Sequence, residues 1–197
     1  PNPPTGWLSP PGKVTIGGTT YDYGFTNVNT HNGYYAVPLT DSSISVYVGP
    51  NVKVQLKVSA KNLTLTALRI AGTATTSGNL TFYLTDKTLT VSGNTTVDSG
   101  SATNLTIFGA TNSTAITFTG NSSFTGTIYA PSADLTLAGS GGNGNGQGNN
   151  SPANVEFIGA SVTKTVTMNG NYNFHFDENL LRGQFNRGYI VTSWREL

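Results

Sequence analysis

Over residues 124–180, apolar and polar side chains alternate between turn residues, segment after segment. The run reads Phe124-Thr-Gly-Thr-Ile128-Tyr-Ala-Pro131, Ala133-Asp-Leu135-Thr-Leu137, Val155-Glu-Phe157-Ile-Gly159-Ala-Ser-Val162, Val166-Thr-Met168-Asn-Gly170 and Phe174-His-Phe176-Asp-Glu-Asn-Leu180. A strand sends successive side chains to opposite faces, so this beat, broken by Gly, Asn and Pro, writes short half-buried strands joined by tight corners. It writes no helix. The expected fold class is all-β.

From Asn51 onward the pattern is also repetitive. Asn62-Leu-Thr64, Asn79-Leu-Thr81 and Asn104-Leu-Thr106 open strands 17 and 25 residues apart, and related turns stand at Gly93-Asn94 and Gly120-Asn121. Short strands at such a loose period suit a solenoid, in which each coil buries its inward side chains against its neighbours. A right-handed parallel β-helix over 51–180 is the expectation, with a β-sandwich as the alternative, because a sandwich uses the same alternation and turn spacing. The inward positions would be Leu63, Leu65, Leu80, Phe82, Leu84, Leu89, Val91, Leu105, Ile107, Ile116, Phe118, Phe124, Ile128, Leu135, Leu137, Val155, Phe157, Val166, Met168, Phe174 and Phe176. At ~1.5–3 kcal/mol for each large apolar side chain fully buried, such a set offsets much of the ordering entropy of one domain.

The flanks read differently. Prolines at 1, 3, 4, 10 and 11 fix φ and remove amide donors, so 1–12 is an extended arm rather than a helix or central strand. Trp7 and Leu8 in its middle would pack on the arm's own body or, as a sharper assembly reading, on a neighbouring subunit. Residues 13–50 offer strands at Val14–Ile16, Tyr34–Val37 and Ile44–Val48 and an aromatic group, and read as a cap or edge over the end of the body. Residues 139–152 are a Gly/Asn-rich loop, with neither the helix nor the Lys-Ser/Thr ending of a phosphate loop. Residues 181–197 form a C-terminal tail or strand. The start at Pro1 rather than Met leaves open whether an upstream signal or anchor was removed.

Composition restricts partners. Only 10% of residues are charged and the formal net charge is +1, so there is no cluster of Lys and Arg for nucleic acid or an anionic membrane. Lys53 and Lys57 alternate with Val52, Val54, Leu56 and Val58 and fit the wet face of a strand. No stretch approaches the ~20 apolar residues of a membrane span, so no membrane insertion is expected of this chain. With Cys 0, disulfides, thiolate metal sites and cysteine nucleophiles are excluded together.

Gly126-Thr-Ile-Tyr-Ala-Pro131, Ala133-Asp-Leu-Thr-Leu137, Phe157-Ile-Gly-Ala-Ser-Val162, Gly170-Asn-Tyr-Asn-Phe-His-Phe-Asp-Glu178 and the terminal Val191-Thr-Ser-Trp-Arg-Glu-Leu197 carry a resemblance. Together they resemble a C-terminal β-helical module of bacterial surface proteins similar to type IV pilus assembly and adhesin-like proteins. The similarity is good over 124–197, loose over 51–123 and absent over 1–50, which has no counterpart of that group's N-terminal apolar helix. It implies a β-helical domain at the bacterial cell surface and supplies no catalytic residue.

Candidate chemistry is sparse. His175 adjoins Asp177 and Glu178, and alternation would put His175 and Asp177 on one strand face, the arrangement of a single metal or an acid/base pair. A structural role at the last coil is the preferred reading. His31 sits in a turn composition, Asn29-Thr-His-Asn-Gly33. Asp86, Asp98, Asp134 and Glu156 are scattered singly, whereas polysaccharide lyases and hydrolases on parallel β-helices need acidic pairs or a base with Ca²⁺ on one face. No Gly-x-Ser-x-Gly elbow occurs. The Asn-x-Ser/Thr sequons at 62, 79, 94, 104, 112 and 121 follow from Asn at corners and Thr in strands.

Thr-rich strands such as Leu63-Thr-Leu-Thr66, Thr88-Leu-Thr90 and Thr117-Phe-Thr119 suit a wet strand face through β propensity alone. Aligned on one flat face, they would instead suit ice or a crystalline polysaccharide. The expectation is thus a non-enzymatic extracellular structural or adhesive subunit of a bacterial surface appendage, pilus- or filament-associated, meeting other copies of itself or other appendage subunits through strand or arm docking. The alternatives are a Thr-face ice- or glycan-binding protein and, third, a carbohydrate-active enzyme. No catalytic, metal or cofactor site is assigned.

Overall fold

In the computed structural model, residues 6–59, 62–85, 88–119, 123–138, 155–169 and 172–182 are described. Val14–Ile16 (β1) and Thr19–Tyr21 (β2) form an antiparallel hairpin. The remaining strands are Tyr23–Phe25 (β3), Gly33–Ala36 (β4), Ser43–Val48 (β5), Lys53–Val58 (β6), Asn62–Ile70 (β7), Asn79–Leu84 (β8), Thr88–Val91 (β9), Thr95–Val97 (β10), Leu105–Gly109 (β11), Ala115–Thr119 (β12), Phe124–Ala138 (β13), Val155–Asn169 (β14) and Tyr172–His175 (β15). They join one 13-stranded sheet. Every pairing within it is parallel.

The fold is all-β, a parallel sheet curled into a half-barrel. A β-sandwich is built from face-to-face antiparallel sheets, and the parallel register departs from that alternative. The long crossovers that parallel neighbours need are supplied here by other strands of the same sheet rather than by helices.

Three ladders make up the sheet. The first runs β4, β6, β8, β11, the middle of β13 and the middle of β14. The second runs from the start of β5 through the start of β7 to β9, β12 and the last parts of β13 and β14. A third joins β3, the end of β5, the end of β7 and β10, and its counterpart near the C-terminus joins Phe124, Phe157 and Phe174 in register. Of the strands in 13–50, β3, β4 and β5 belong to the same sheet, with β3 and β4 at the two ends of its strand order, while β1 and β2 form the separate hairpin.

One core fills the curl. Leu63, Leu65, Leu80, Phe82, Leu105, Ile107, Ile116, Phe118, Phe124, Leu135, Leu137 and Phe157 are buried as expected, joined by Phe25, Ile44, Val48, Val54, Leu56 and Ile70 from the N-terminal part. Rings pack along it: Phe118–Phe124 centroids are 4.8 Å apart edge-on, Phe124–Phe157 5.0 Å and tilted, and Phe157–Phe174 4.6 Å and stacked.

Four of the expected inward residues are exposed. Val166 and Met168 at 47%, Phe174 at 42% and Phe176 at 53% all belong to the last strands or follow them. Val166, Met168 and Phe174 occupy inward registers opposite Leu135, Leu137 and Phe157, but no later strand among the described residues covers them. Phe176 lies beyond the end of β15 and takes no inward register.

The expected break at Pro131 is a bend rather than an end. β13 runs through it, and its register with β14 shifts between Ala130 and Asp134. Proline is tolerated there because an irregular step does not need the missing N–H. On β14 the matching register step falls between Thr163 and Thr165, and further up the strand Gly159 has a φ of +145° that favours glycine, where a Cβ would run into the Gly126 carbonyl oxygen. A short helix, Asn179–Arg182 (α1), falls where only strands were expected.

Candidate binding surface

Each ladder presents an outer face, and register decides what stands on it. On the second ladder Ser43, Thr64, Thr90, Thr117, Thr136 and Thr167 are successive Cα partners, one per strand. Neighbouring hydroxyls therefore repeat at the strand spacing of ~4.8 Å. All are half-exposed or exposed. The hydroxyls of Thr64, Thr90, Thr117, Thr136 and Thr167 make no hydrogen bond to another described residue. Flanking threonines do otherwise: Thr66 donates to the Ile44 carbonyl at 3.1 Å and Thr165 to Asp134 at 2.7 Å. A parallel row beside it is mixed, with Asn62, Thr88, Ala115, Asp134 and Thr165 in register.

The β1–β2 hairpin and the described residues of the N-terminal arm lie on the other two faces. The β1–β2 hairpin packs Val14, Ile16 and Tyr21 on Tyr47 and Ala71, outside the third ladder. Beside it Arg69 forks onto Asp98, with Nη2 to Oδ2 at 2.9 Å and Nε to both oxygens at 3.2 Å, and this hydrogen bond and charge pair hold the guanidinium pKa up. Lys13 lies 3.7 Å from Asp22, which accepts from the Ser45 amide at 2.9 Å and hydroxyl at 2.8 Å. Leu8 takes a parallel bridge to Tyr35, donating its amide to the Tyr34 carbonyl at 2.9 Å and accepting from Ala36 N at 2.9 Å. Trp7 meets Tyr34 and Tyr83 edge-on at 5.8 and 5.9 Å. These residues of the arm thus pack on their own chain, while the Leu8 side chain stays 59% exposed.

On the first ladder the outer row is aromatic. Lys57, Tyr83, Phe108, Tyr129 and Val162 are successive partners, with Tyr83–Phe108 stacked at 5.6 Å. Burial raises the Tyr83 pKa. Beyond Phe108 the row floors a cleft of about 610 Å³, walled by Phe176, Leu180 and Leu181. Sequence reasoning missed it. The available signal was aromatic rather than hydroxyl residues between the inward positions of 79–84, 105–109 and 124–130.

The candidate acid/base pair is not a pair. Asp177 is buried and leaves the strand: Oδ2 accepts from Ala102 N at 2.6 Å, while Oδ1 accepts from Asn179 N and Nδ2 at 2.9 Å, capping α1. His175 is exposed on β15. His31 accepts through Nδ1 from Thr26 N at 2.9 Å, which ties its turn, and its ring lies against Phe25. Asp98 and Asp134 are committed to Arg69 and to Thr165 and Lys164, the Glu156 side chain has no partner among the described residues, and Asp86 lies outside them. Among the described residues no three His, Asp or Glu are close enough to hold one metal ion, and no helix is long and apolar enough to cross a membrane.

The family described as "Domain of unknown function (DUF7305)" matches residues 12–182. The chain belongs to it. That match covers every strand of the curled sheet, so the DUF7305 unit and the core-forming unit coincide. No curated protein and no solved structure matches the chain.

Proposed function

We propose that this DUF7305 chain is a right-handed parallel β-helix serving as a non-enzymatic extracellular structural or adhesive subunit of a bacterial surface appendage, and that it adheres through its threonine face. The helical reading is supported by three ladders in which inward apolar positions repeat from strand to strand. The observation that carries the adhesive role is the in-register row Ser43, Thr64, Thr90, Thr117, Thr136 and Thr167. A periodic ligand rewards a periodic surface, and hydroxyls without a hydrogen-bond partner among the described residues suit the hydroxyls of a crystalline polysaccharide. Neighbouring copies or other appendage subunits would meet the body at its C-terminal strand edge, since β14 lacks a further partner along its last half among the described residues.

The same row favours a second reading, a free-standing ice binder. Replacing Thr90, Thr117 and Thr136 by Lys raises long charged side chains from the face without touching the core. Adhesion predicts that wild type sediments with cellulose or chitin and that the triple variant stays in solution with an unchanged melting temperature. Thermal hysteresis in wild type, lost in the variant, would favour ice; neither activity in wild type would remove the face as a binding surface. Electron microscopy of native material tests the appendage role.

A further inference from the structure

We infer that a hollow on the outer face of the third ladder, between the β1–β2 hairpin and β10, holds one neutral sugar residue of a glycan. Tyr47, Arg69 and Thr96 are successive Cα partners on that face, in the strand order β5, β7, β10. The hairpin packs on Tyr47 and Ala71, and a cavity of about 380 Å³ remains beside it over β7. Thr19 and Tyr21 line it from the hairpin, Asn94, Thr96 and Asp98 from the β10 side, and Arg69 lies between them.

The chemistry of the lining selects the ligand. Arg69 and Asp98 neutralise each other in the fork already described, so an acidic sugar would have to displace the carboxylate from the guanidinium. The fork uses Nε and Nη2, and Nη1 has no hydrogen-bond partner among the described residues. The side chains of Thr19, Asn94 and Thr96 have none there either. Threonine hydroxyls and the asparagine amide both donate and accept, the guanidinium only donates and the carboxylate only accepts. A ligand that answers all of them carries several groups close together that each donate and accept, with no net charge. A pyranose ring has that character. The cavity falls in the volume range of small-molecule sites, and Tyr21 and Ala67 give it an apolar part for the C–H face of the ring. This hollow lies on a different ladder from the threonine row, so the inference stands apart from the reading of that row.

The test is an amide NMR titration of the full chain, at millimolar concentrations, with D-glucose, D-galactose, D-mannose and N-acetyl-D-glucosamine in turn. At least one of the four should give saturable shifts confined to the amides of 19–21, 66–69 and 94–98. Thr96→Val and Asn94→Ala, at exposed positions, should each weaken that binding roughly 3–10-fold, as for one lost hydrogen bond. D-galacturonate should bind more weakly than D-galactose. Saturable shifts with none of the four sugars, or binding unchanged in both variants, would overturn the proposal. Tighter binding of galacturonate would do so too, by making Arg69 an anion site. So would shifts along Thr64, Thr90 and Thr117, which would assign the sugar to the threonine face. Spectra of the ligand-free variants, compared with wild type away from the hollow, separate lost contacts from lost fold, and the galactose–galacturonate comparison needs no variant.

Discussion

The first and last strands of the sheet have the same inward pattern and opposite fates. At the N-terminal end Phe25, Ile44 and Val48 are 0–1% exposed, while at the C-terminal end Val166, Met168 and Phe174 are 42–47% exposed. Sequence alternation is as clean in Val166-Thr-Met168 as in Ser43–Val48. The difference lies in what comes beyond: β3 and β4 are closed over by the turn holding His31, by the Phe25–Tyr35 contact at 4.9 Å and by the arm's bridge at Leu8, whereas β14 and β15 have nothing further among the described residues. In a stacked sheet an inward side chain is buried by the next strand, so burial is a property of the neighbour as much as of the residue.

The largest expected effect tests that asymmetry directly. Phe25→Ala should cost ~3–5 kcal/mol, because it removes a fully enclosed ring and leaves a cavity. Phe174→Ala should cost about 1 kcal/mol, since its ring stacks on Phe157 on one side only. Urea unfolding midpoints of the two variants give the comparison. Equal losses would mean that the C-terminal end is covered in solution, by residues outside the described set or by another molecule.

These ends also show what alternation can and cannot carry. The period of two named most of the buried residues from Leu63 to Phe157, because an inward position between two strands is buried whichever strand follows. Parallel pairing was implied by the repeated Asn-Leu-Thr starts, of which those at Asn79 and Asn104 do stand in register on the first ladder, while the one at Asn62 belongs to the second. Register was not legible: Thr64, Thr90 and Thr117 are each visible as strand threonines, but their alignment depends on the lengths of the segments between β7, β9 and β12. Nor was the corner chemistry. Gly126 and Gly159 look like turn residues, yet they stack in register within two continuous strands. Asp177 looked like a partner for His175 because the strand was extended two residues too far; past β15 the backbone turns and the carboxylate caps α1 instead.

A second, intermediate effect separates that buried carboxylate from its exposed neighbour. Asp177→Ala leaves the Ala102 amide and the first turn of α1 without their acceptor, an expected loss of about 1–3 kcal/mol. His175→Asn should stay within about 0.5 kcal/mol, as for an exposed strand residue. Thermal melts of the two variants decide it; a larger loss for His175→Asn would show that the histidine, too, is enclosed.

The smallest effect, the alkaline dependence of stability, concerns one tyrosine from each end. Burial raises the Tyr23 phenol most, followed by its hydrogen bond to Asp41 and the charges of Asp41 and Asp22, so it stays protonated well above its ordinary range. Tyr172 is raised by burial alone, and its hydroxyl is buried without a hydrogen-bond partner among the described residues. In the unfolded chain both titrate near pH 10. Above that pH the folded state holds more protons than the unfolded state, so stability is fully present below ~10 and falls as pH rises toward the folded-state values. Stability measured from pH 8 to 11 should therefore be flat and then decline. Tyr23→Phe should lower the plateau, through the lost Asp41 bond, and make the decline shallower. Tyr172→Phe should leave the plateau unchanged or slightly higher, because no made hydrogen bond is lost, and flatten the decline less. A lowered plateau for Tyr172→Phe would reveal a partner for its hydroxyl and, with it, a C-terminal end as closed as the N-terminal one.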